Sequence, residues 1–143
     1  MKKTIRIFCI FAICSAALVG CKKVVTLNEL PPEAQAFISA NFPDVLVSYA
    51  EREGCEYEVV LFDGTELEFS KDGAWKKVDM KHSAVPAAVV ASLPAPAAAY
   101  LDSSFPGIQV EKVKIERRRY TVELLNGIEL EFDSNGVCRE IDD

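Results

Sequence analysis

Histidine is almost absent from this sequence of 143 residues: His82 is the only one, and tryptophan also occurs once, at Trp75. A single imidazole cannot form a cluster of histidine metal ligands, and no convincing Ser/His/Asp set accompanies it. His82 also lies in a predicted linker, away from the predicted strands. We therefore expect a protein without catalytic residues and without a bound metal or other cofactor.

Positive charge is also scarce. The sequence has 16 lysine and arginine residues against 22 aspartate and glutamate residues, which gives a formal net charge of −6. Nucleic-acid binding depends on neutralising phosphates with basic side chains, so we expect no nucleic-acid partner. The run "ERRRY", residues 116–120, is a local exception. We interpret it as a salt-bridging or lipid-headgroup-facing patch at a strand junction.

One hydrophobic run lies near the start of the sequence, and it is too short and too early for an ordinary membrane span. The basic start "MKKTIR" followed by "IFCIFAICSAALVG" is typical of a secretory signal. The run ends in "LVGC", which resembles the lipobox of bacterial lipoproteins, where cleavage precedes a cysteine that receives a diacylglyceryl group. We predict a lipoprotein signal peptide at residues 1–20, lipidation of Cys21 and a lipidated tether at residues 21–29. An ordinary signal with a chance cysteine, or an uncleaved anchor, is the alternative.

Removal of the signal leaves 13 basic and 22 acidic residues, a net charge of −9. Solubility and a cationic or neutral partner are expected for such a chain. Lys22 and Lys23 follow Cys21 with no acidic residue beside it that would suggest a special sorting signal. We predict a protein of the bacterial cell envelope, anchored in the outer membrane and facing the periplasm.

The remaining sequence contains an internal repeat. Residues 30–79 align with residues 93–142 at an offset of 63 without a gap, and 18 of the 50 positions are identical. In both copies an apolar period typical of a helix runs from a Leu-Pro to a Phe-Pro pair, and an alternating pattern with glycine turns follows. Each copy therefore predicts one helix and a four-stranded antiparallel meander. A linker with a short helix at "PAAVVASL" is predicted for residues 80–92.

The glycine turns fix a strand register that puts apolar residues on one face. In a three-residue loop with a left-handed glycine, Val59 faces Leu67, Tyr57 faces Phe69, and Phe69 faces Trp75 across the next turn. The helices are expected to cover this face. In the same scheme Val78 falls on the opposite face.

The opposite face is mainly charged and forms the candidate site. We predict that Glu68 lies across from Lys76 and that Glu131 lies across from Arg139, so that charges pair between strands. A solvated outer sheet face and a binding surface for a basic partner both remain open. The candidate protein-binding residues are Glu58, Val60, Glu66, Glu68, Lys76, Glu123, Glu129, Glu131 and Arg139.

Two cysteines remain outside the signal and the lipid site. Cys55 and Cys138 belong to different copies, and in a side-by-side arrangement they are at least two strands, or about 10 Å, apart. A disulfide needs Cα atoms within about 7 Å. We therefore predict two free, half-buried thiols unless the sheet closes on itself.

The stretch "YEVVLFDGTELEFSKDGAWKKVD" and its copy resemble the PepSY-like, β-lactamase-inhibitor-like family of small bacterial envelope proteins. The resemblance covers residues 30–142, and the tandem "G-x-E-L-E-F" blocks are its most specific part. It implies an α+β fold of two tandem α-β-β-β-β repeats, with an antiparallel sheet and helices packed on one face, as in β-lactamase inhibitor protein. Residues 30–79 form PepSY-like repeat 1 and residues 93–143 form PepSY-like repeat 2.

The resemblance predicts a binding protein. We expect a non-catalytic, lipid-anchored periplasmic module whose open sheet face binds an envelope protein or peptide, with inhibition of an envelope enzyme as one form of that binding. A structural outer-membrane lipoprotein, such as an accessory of barrel assembly, is the first alternative. A module that senses a cation or another ligand through its acidic face is the second.

Overall fold

The computed structural model describes residues 21–143. The predicted signal peptide, residues 1–20, lies outside the described residues. Within the described part, no helix is both long enough and apolar enough to cross a membrane.

The described chain forms a sheet whose strands follow one another in sequence order, and each pair of neighbours is antiparallel. This arrangement is a continuous meander, because each strand pairs with the strands before and after it in the chain. The strands are β1 (Lys23–Val24), β2 (Val47–Glu53), β3 (Glu56–Leu61), β4 (Glu66–Ser70), β5 (Trp75–Asp79), β6 (Val110–Glu116), β7 (Arg119–Leu124), β8 (Glu129–Phe132) and β9 (Cys138–Asp142). The helices are α1 (Pro32–Asn41), α2 (Ala87–Ala91) and α3 (Ala95–Ser104), and a short 3₁₀ turn spans Leu27–Glu29.

The two halves of the described chain have the same succession of elements. One helix, α1, precedes β2 to β5, and α3 precedes β6 to β9. The halves join side by side through β5 and β6, where Val78 faces Val113. The structure therefore has the antiparallel sheet with helices that the sequence predicts, with more residues in strands than in helices.

The helices α1 and α3 lie against one face of the sheet. Each begins with a proline in its first turn, a position that needs no amide hydrogen bond. Phe37 of α1 meets Phe69 edge-on with ring centroids 5.7 Å apart, and Tyr100 of α3 meets Phe132 in the same way at 5.9 Å. Both halves therefore bury equivalent aromatic pairs between helix and sheet.

Glycine turns between strands also pack against the start of each helix. Gly73 has a φ of +94°, and a Cβ placed there would lie 2.8 Å from the Ala34 nitrogen. Gly136 has a φ of +80°, and its Cβ would lie 2.8 Å from the Ala97 nitrogen. Only glycine fits these two positions, both for its conformation and for its size.

The buried apolar side chains form one core between the helices and the sheet, and all of them lie between Val25 and Phe132. The predicted register is confirmed between β3 and β4: Val59 faces Leu67 and Tyr57 faces Phe69. Phe69 also faces Trp75 as predicted, and the Trp75 ring stacks on Phe37 with centroids 5.9 Å apart.

Beyond Trp75 the predicted register is wrong, because β5 contains a bulge. The pairing passes from Phe69–Trp75 to Glu68–Lys77, which leaves Lys76 as an extra residue in β5. Val78 therefore lies on the core face opposite Leu67 and is fully buried, instead of on the open face. Lys76 does not face Glu68, and its ammonium group bonds Glu56.

The second half has the same bulge in β9. The pairing passes from Phe132–Cys138 to Glu131–Glu140, so Arg139 is the extra residue. The predicted pairing of Glu131 with Arg139 is therefore wrong. The Arg139 guanidinium group instead donates to Asp133, at 2.8 Å from Nε.

The cysteines Cys55 and Cys138 are both free, as predicted. Cys55 lies in the turn before β3 and Cys138 in β9, six strand spacings or about 29 Å away. Cys138 is partly buried, but Cys55 is exposed. The prediction of two half-buried thiols is therefore right for Cys138 and wrong for Cys55.

Candidate binding face

The sheet surface opposite the helices carries the candidate site, and we call it the open face. Because side chains alternate along a strand, the residues between the core positions of each strand point to this side. The open face comprises Tyr49, Glu51, Glu53, Glu56, Glu58, Val60, Glu66, Glu68, Lys77, Asp79, Lys112, Lys114, Glu116, Arg119, Thr121, Glu123, Glu129, Glu131, Glu140 and Asp142.

Most residues predicted for the site lie together on this face. Pairing across β3 and β4 brings Glu58 opposite Glu68 and Val60 opposite Glu66. Pairing across β7 and β8 brings Glu123 opposite Glu129, and Thr121 opposite Glu131. The other two predicted residues, Lys76 and Arg139, occupy the two bulges.

Lys77 lies at the centre of the open face. Its Nζ lies 3.0 Å from Glu66 and 3.3 Å from Glu68, and the side chain is only 14% exposed. Burial acts to lower the pKa of Lys77, but the hydrogen bond to Glu66 and the charge of Glu68 outweigh it and raise that pKa. The lysine therefore stays charged and fixes both carboxylates in place.

A second lysine, Lys81, extends the ion pairs of Lys77 with Glu66 and Glu68. Lys81 lies 3.1 Å from Glu66 and 2.9 Å from Asp79, a residue that is itself buried. Burial acts to raise the pKa of Asp79, but its hydrogen bonds from the Lys81 side chain and backbone outweigh burial and lower it. Burial likewise acts to raise the pKa of Glu66, but the hydrogen bonds from Lys77 and Lys81 outweigh burial and lower that pKa.

Glu51 occupies the open face near the β1 edge, where its side chain is 9% exposed. Lys22 donates to Oε1 at 2.7 Å, and the Tyr49 hydroxyl donates to Oε2 at 2.6 Å. These hydrogen bonds, first that of Lys22 and then that of Tyr49, lower the pKa of Glu51. The carboxylate is thus ionised and saturated with donors.

The second half of the open face has a different charge pattern. Lys112 pairs with Glu123 at 3.0 Å, and Arg119, the first residue of β7, pairs with Glu131. At the offset of 63, Lys112 replaces Tyr49, and Lys114 replaces Glu51. The core residues of the two halves match, whereas the residues of the open face largely differ.

Each half of the open face contains a shallow concavity near the end of its first hairpin. The concavity of the first half, of about 320 Å³, is lined by four glutamates, Glu53, Glu56, Glu58 and Glu68, together with Tyr57 and Lys114. The concavity of the second half, of about 650 Å³, is lined by Glu116, Arg117, Arg119, Thr121 and Glu131. Glu53, Glu56, Glu58 and Glu68 correspond by the offset of 63 to Glu116, Arg119, Thr121 and Glu131. Equivalent surfaces therefore present mainly acidic groups in one half and an equal number of acidic and basic groups in the other.

The described residues hold no group of three or more histidine, cysteine, aspartate or glutamate side chains arranged to bind a metal ion. His82 is almost fully exposed, and its Nδ1 lies 3.9 Å from Glu111. The chemistry available on the open face is recognition of a binding partner by fixed charges of both signs.

Sequence reasoning missed the lysines at the centre of this face. The missed residues are Lys77, Lys112 and Lys114, with Asp79, Glu51 and Tyr49 beside them. The spacing of Trp75 and Val78 was the available signal. Two apolar residues three apart, with two lysines between them, do not fit a regular strand and indicate a bulge.

The helix-covered meander with an open, charged face is a small α+β domain. Residues 55–140 match the family described as "Putative beta-lactamase-inhibitor-like, PepSY-like". The match spans more than half of the chain, so the chain belongs to this family. The resemblance noted in the sequence is confirmed.

Three solved structures are similar to this chain over nearly their whole length. A "putative periplasmic protein" from Bacteroides vulgatus ATCC 8482 has 35% identity and a TM-score of 0.80, covering 86% of this chain and 98% of its own. A "putative calcium-regulated periplasmic protein" from Bacteroides thetaiotaomicron has 34% identity and a TM-score of 0.77, covering 85% and 97%. A third, from Bacteroides vulgatus and of unknown function, has 30% identity and a TM-score of 0.77, covering 85% and 99%. A comparison with curated proteins found no match.

Proposed function

We propose that this protein is a non-catalytic periplasmic binding module, anchored to the outer membrane through a lipid on Cys21, whose open face binds an envelope protein or peptide. Inhibition of an envelope enzyme is one form of this binding. We also propose that its two halves are tandem copies of one PepSY-like unit that share a scaffold and differ in specificity.

The observation that carries this proposal is the difference between the two faces of the sheet. One face is buried under helices, and most of its residues are identical between the halves, as at Val59 and Val122 and at Phe69 and Phe132. The other is open and charged, and it differs between the halves at Glu58 and Thr121 and at Val60 and Glu123. Lys77 and Glu51 are held on this open face in fixed, mostly buried ion pairs. Fixed charges of both signs give specificity and orientation to a protein contact.

The test is a crosslinking pull-down from envelope extract with residues 22–143 as bait, which contain every buried core residue. The discriminating variant is Glu58→Lys. Glu58 lies between Glu51 and Glu68 on neighbouring strands, so the change relieves repulsion while it reduces the net charge of the residues lining the first concavity from −3 to −1. We expect a near-stoichiometric partner that this variant loses at least ten-fold.

The matched control is Asp102→Lys, the same charge change at an exposed position of α3 on the helix side. It should capture the partner as well as the parent does. Equal loss in both variants, or in neither, would remove the open face as the binding site. A soluble enzyme as partner favours inhibition, and its activity is then assayed with the bait present. An integral barrel as partner favours the structural role in barrel assembly.

A calcium-dependent role is the second candidate, since one similar protein is described as calcium-regulated. The four glutamates of the first concavity are the acidic groups available. Lys76 pairs with Glu56, and Lys22 lies 3.3 Å from Glu53, so a cation has to displace these lysines. Thermal unfolding with millimolar Ca²⁺ and with chelator tests it. A rise of several degrees that Glu58→Gln abolishes supports calcium binding, and an unchanged midpoint excludes it.

A further inference from the structure

The turn between β6 and β7 places two arginines in an unfavourable backbone conformation. Arg117 has a φ of 48° and Arg118 a φ of 66°, so both adopt the left-handed region that costs stability for any residue with a side chain. The equivalent turn of the first half uses Gly54 in this region, with a φ of 59°. Asn-Gly is the pair that fits such a turn best. The chain therefore keeps two arginines where smaller residues are more stable.

Neither arginine has a structural partner that explains its presence. Arg119, next along the chain, pairs with Glu131. Within residues 21–143, neither Arg117 nor Arg118 forms an ion pair or a side-chain hydrogen bond. Both are exposed, and Arg117 lines the concavity of the second half. These two guanidinium groups are available to an anionic ligand outside the domain.

The topology places this turn at the end of the sheet where Cys21 lies. Lys23 faces Arg52, two residues before Gly54, so the chain reaches Cys21 beside the turn between β2 and β3. The turn of Arg117 and Arg118, between β6 and β7, lies at the same end, five to six strand spacings or about 24–29 Å from Cys21 beside β1. Only Lys22 separates Cys21 from β1. A lipid on Cys21 therefore holds this end of the sheet against the bilayer.

The charges of the domain are distributed unevenly between this end and the rest. Nine of the 13 basic residues of the described chain, but only seven of its 22 acidic residues, lie at the Cys21 end, in residues 21–33, 52–57, 69–76, 115–120 and 132–139. Elsewhere four basic residues stand against 15 acidic ones. The domain as a whole is repelled by an anionic surface, whereas this end has a slight positive excess.

From these observations we infer that the arginine turn, Arg117 and Arg118, binds the phosphates of anionic lipid headgroups in the membrane that carries the Cys21 anchor. The inference rests on the proposed lipid anchor. Each basic residue close to an anionic membrane strengthens binding by about five-fold. Two arginines on a rigid turn therefore fix the orientation of the domain. The strands then point away from the bilayer, and the open face is accessible from the side.

The test is co-sedimentation of residues 21–143 carrying Cys21→Ser with vesicles of phosphatidylglycerol and phosphatidylcholine at low salt. The variant Arg117→Asn/Arg118→Gly removes both charges and installs the favoured turn pair. We expect about thirty-fold weaker binding to these vesicles, together with an equal or higher unfolding temperature. Loss of binding without loss of stability separates a ligand site from a structural role.

The matched control, Gln109→Glu/Asn126→Asp, lowers the net charge by the same two units at exposed positions of the opposite end of the sheet and should bind as the parent does. Equal binding by the arginine variant overturns the inference, and so does equal binding to vesicles of phosphatidylcholine alone. Displacement of the parent by millimolar inorganic phosphate identifies a site for free phosphate and also overturns it. Because this assay uses a protein without the lipid and reads no protein partner, its failure is distinct from failure of the proposed binding module.

Discussion

Lys77 and Lys114 lie directly opposite each other on β5 and β6, at the seam where the two halves of the sheet join. Like charges that face each other across strands destabilise a sheet. Each lysine has its own carboxylate: Lys77 binds Glu66 and Glu68, and Lys114 lies 3.5 Å from Glu116. The glutamates around the seam therefore make the junction of the halves possible.

Replacement of Glu66 tests this role. In Glu66→Gln, Lys77 and Lys81 lose their shared anion while Lys77 still faces Lys114. We expect the free energy of unfolding to fall by about 1–2 kcal/mol, since Lys77 is mostly buried. Urea denaturation at pH 7 measures it.

Glu129 provides the matched control, because it is the counterpart of Glu66 at the offset of 63 and forms no ion pair within the described part of the chain. It faces Glu123, so Glu129→Gln should change stability by less than about 0.5 kcal/mol. Equal effects of the two substitutions would contradict the role assigned to the seam.

Alanine substitutions at four turn glycines separate backbone strain from crowding. Gly73 and Gly64 have φ values of +94° and +90°, but only Gly73 has neighbours within 4 Å of an added Cβ. We expect Gly64→Ala to cost about 1–2 kcal/mol through the left-handed backbone alone. Gly73→Ala should cost about 1–3 kcal/mol more, because α1 has to move.

The second half repeats this experiment independently. Gly136 is crowded by Ala97 and Pro94, whereas Gly127 has open space around it. Thermal unfolding of all four variants should rank the crowded pair below the open pair. If Gly73→Ala and Gly64→Ala unfold at the same temperature, the helices do not pack on these turns as the structure shows.

Acid should weaken the fold through the carboxylates of the open face. The pKa values of Glu66 and Asp79 are lowered in the folded state relative to their ordinary values. A group with a lowered folded pKa stabilises the protein above its unfolded pKa, and this contribution is lost as the pH falls through the folded value. We expect stability to decline from about pH 5 downwards.

The variant Asp79→Asn tests which groups are responsible. It lacks one of these carboxylates, so its unfolding free energy should depend less steeply on pH between about pH 5 and pH 3 than that of the parent. Lys77 and Lys81 have raised pKa values, and their contribution should disappear only in alkaline solution, as the pH rises through the folded values. An identical acid profile for Asp79→Asn and parent would assign the acid sensitivity to other carboxylates.

The local pattern of the sequence is sufficient to predict the helices, the hairpins and the first part of the register. Glycine turns and two-residue alternation are local signals, and they correctly pair Val59 with Leu67 and Tyr57 with Phe69. The bulges at Lys76 and Arg139 are not predicted, since a bulge changes the phase of a strand through its fit to the neighbouring strand. One unrecognised extra residue in each half was enough to misplace Val78 and the two predicted ion pairs.

The sequence by itself determined the two-fold succession of elements, the composition of the core and the acidic character of the chain, because these depend on periodicity and composition. Only the tertiary structure decided which charges meet. It brings Lys77 beside Lys114 by joining β5 to β6, and it places Arg117 and Arg118 at the end of the sheet where Cys21 lies. Strand order and register set these long-range distances, and no short stretch of sequence contains that information.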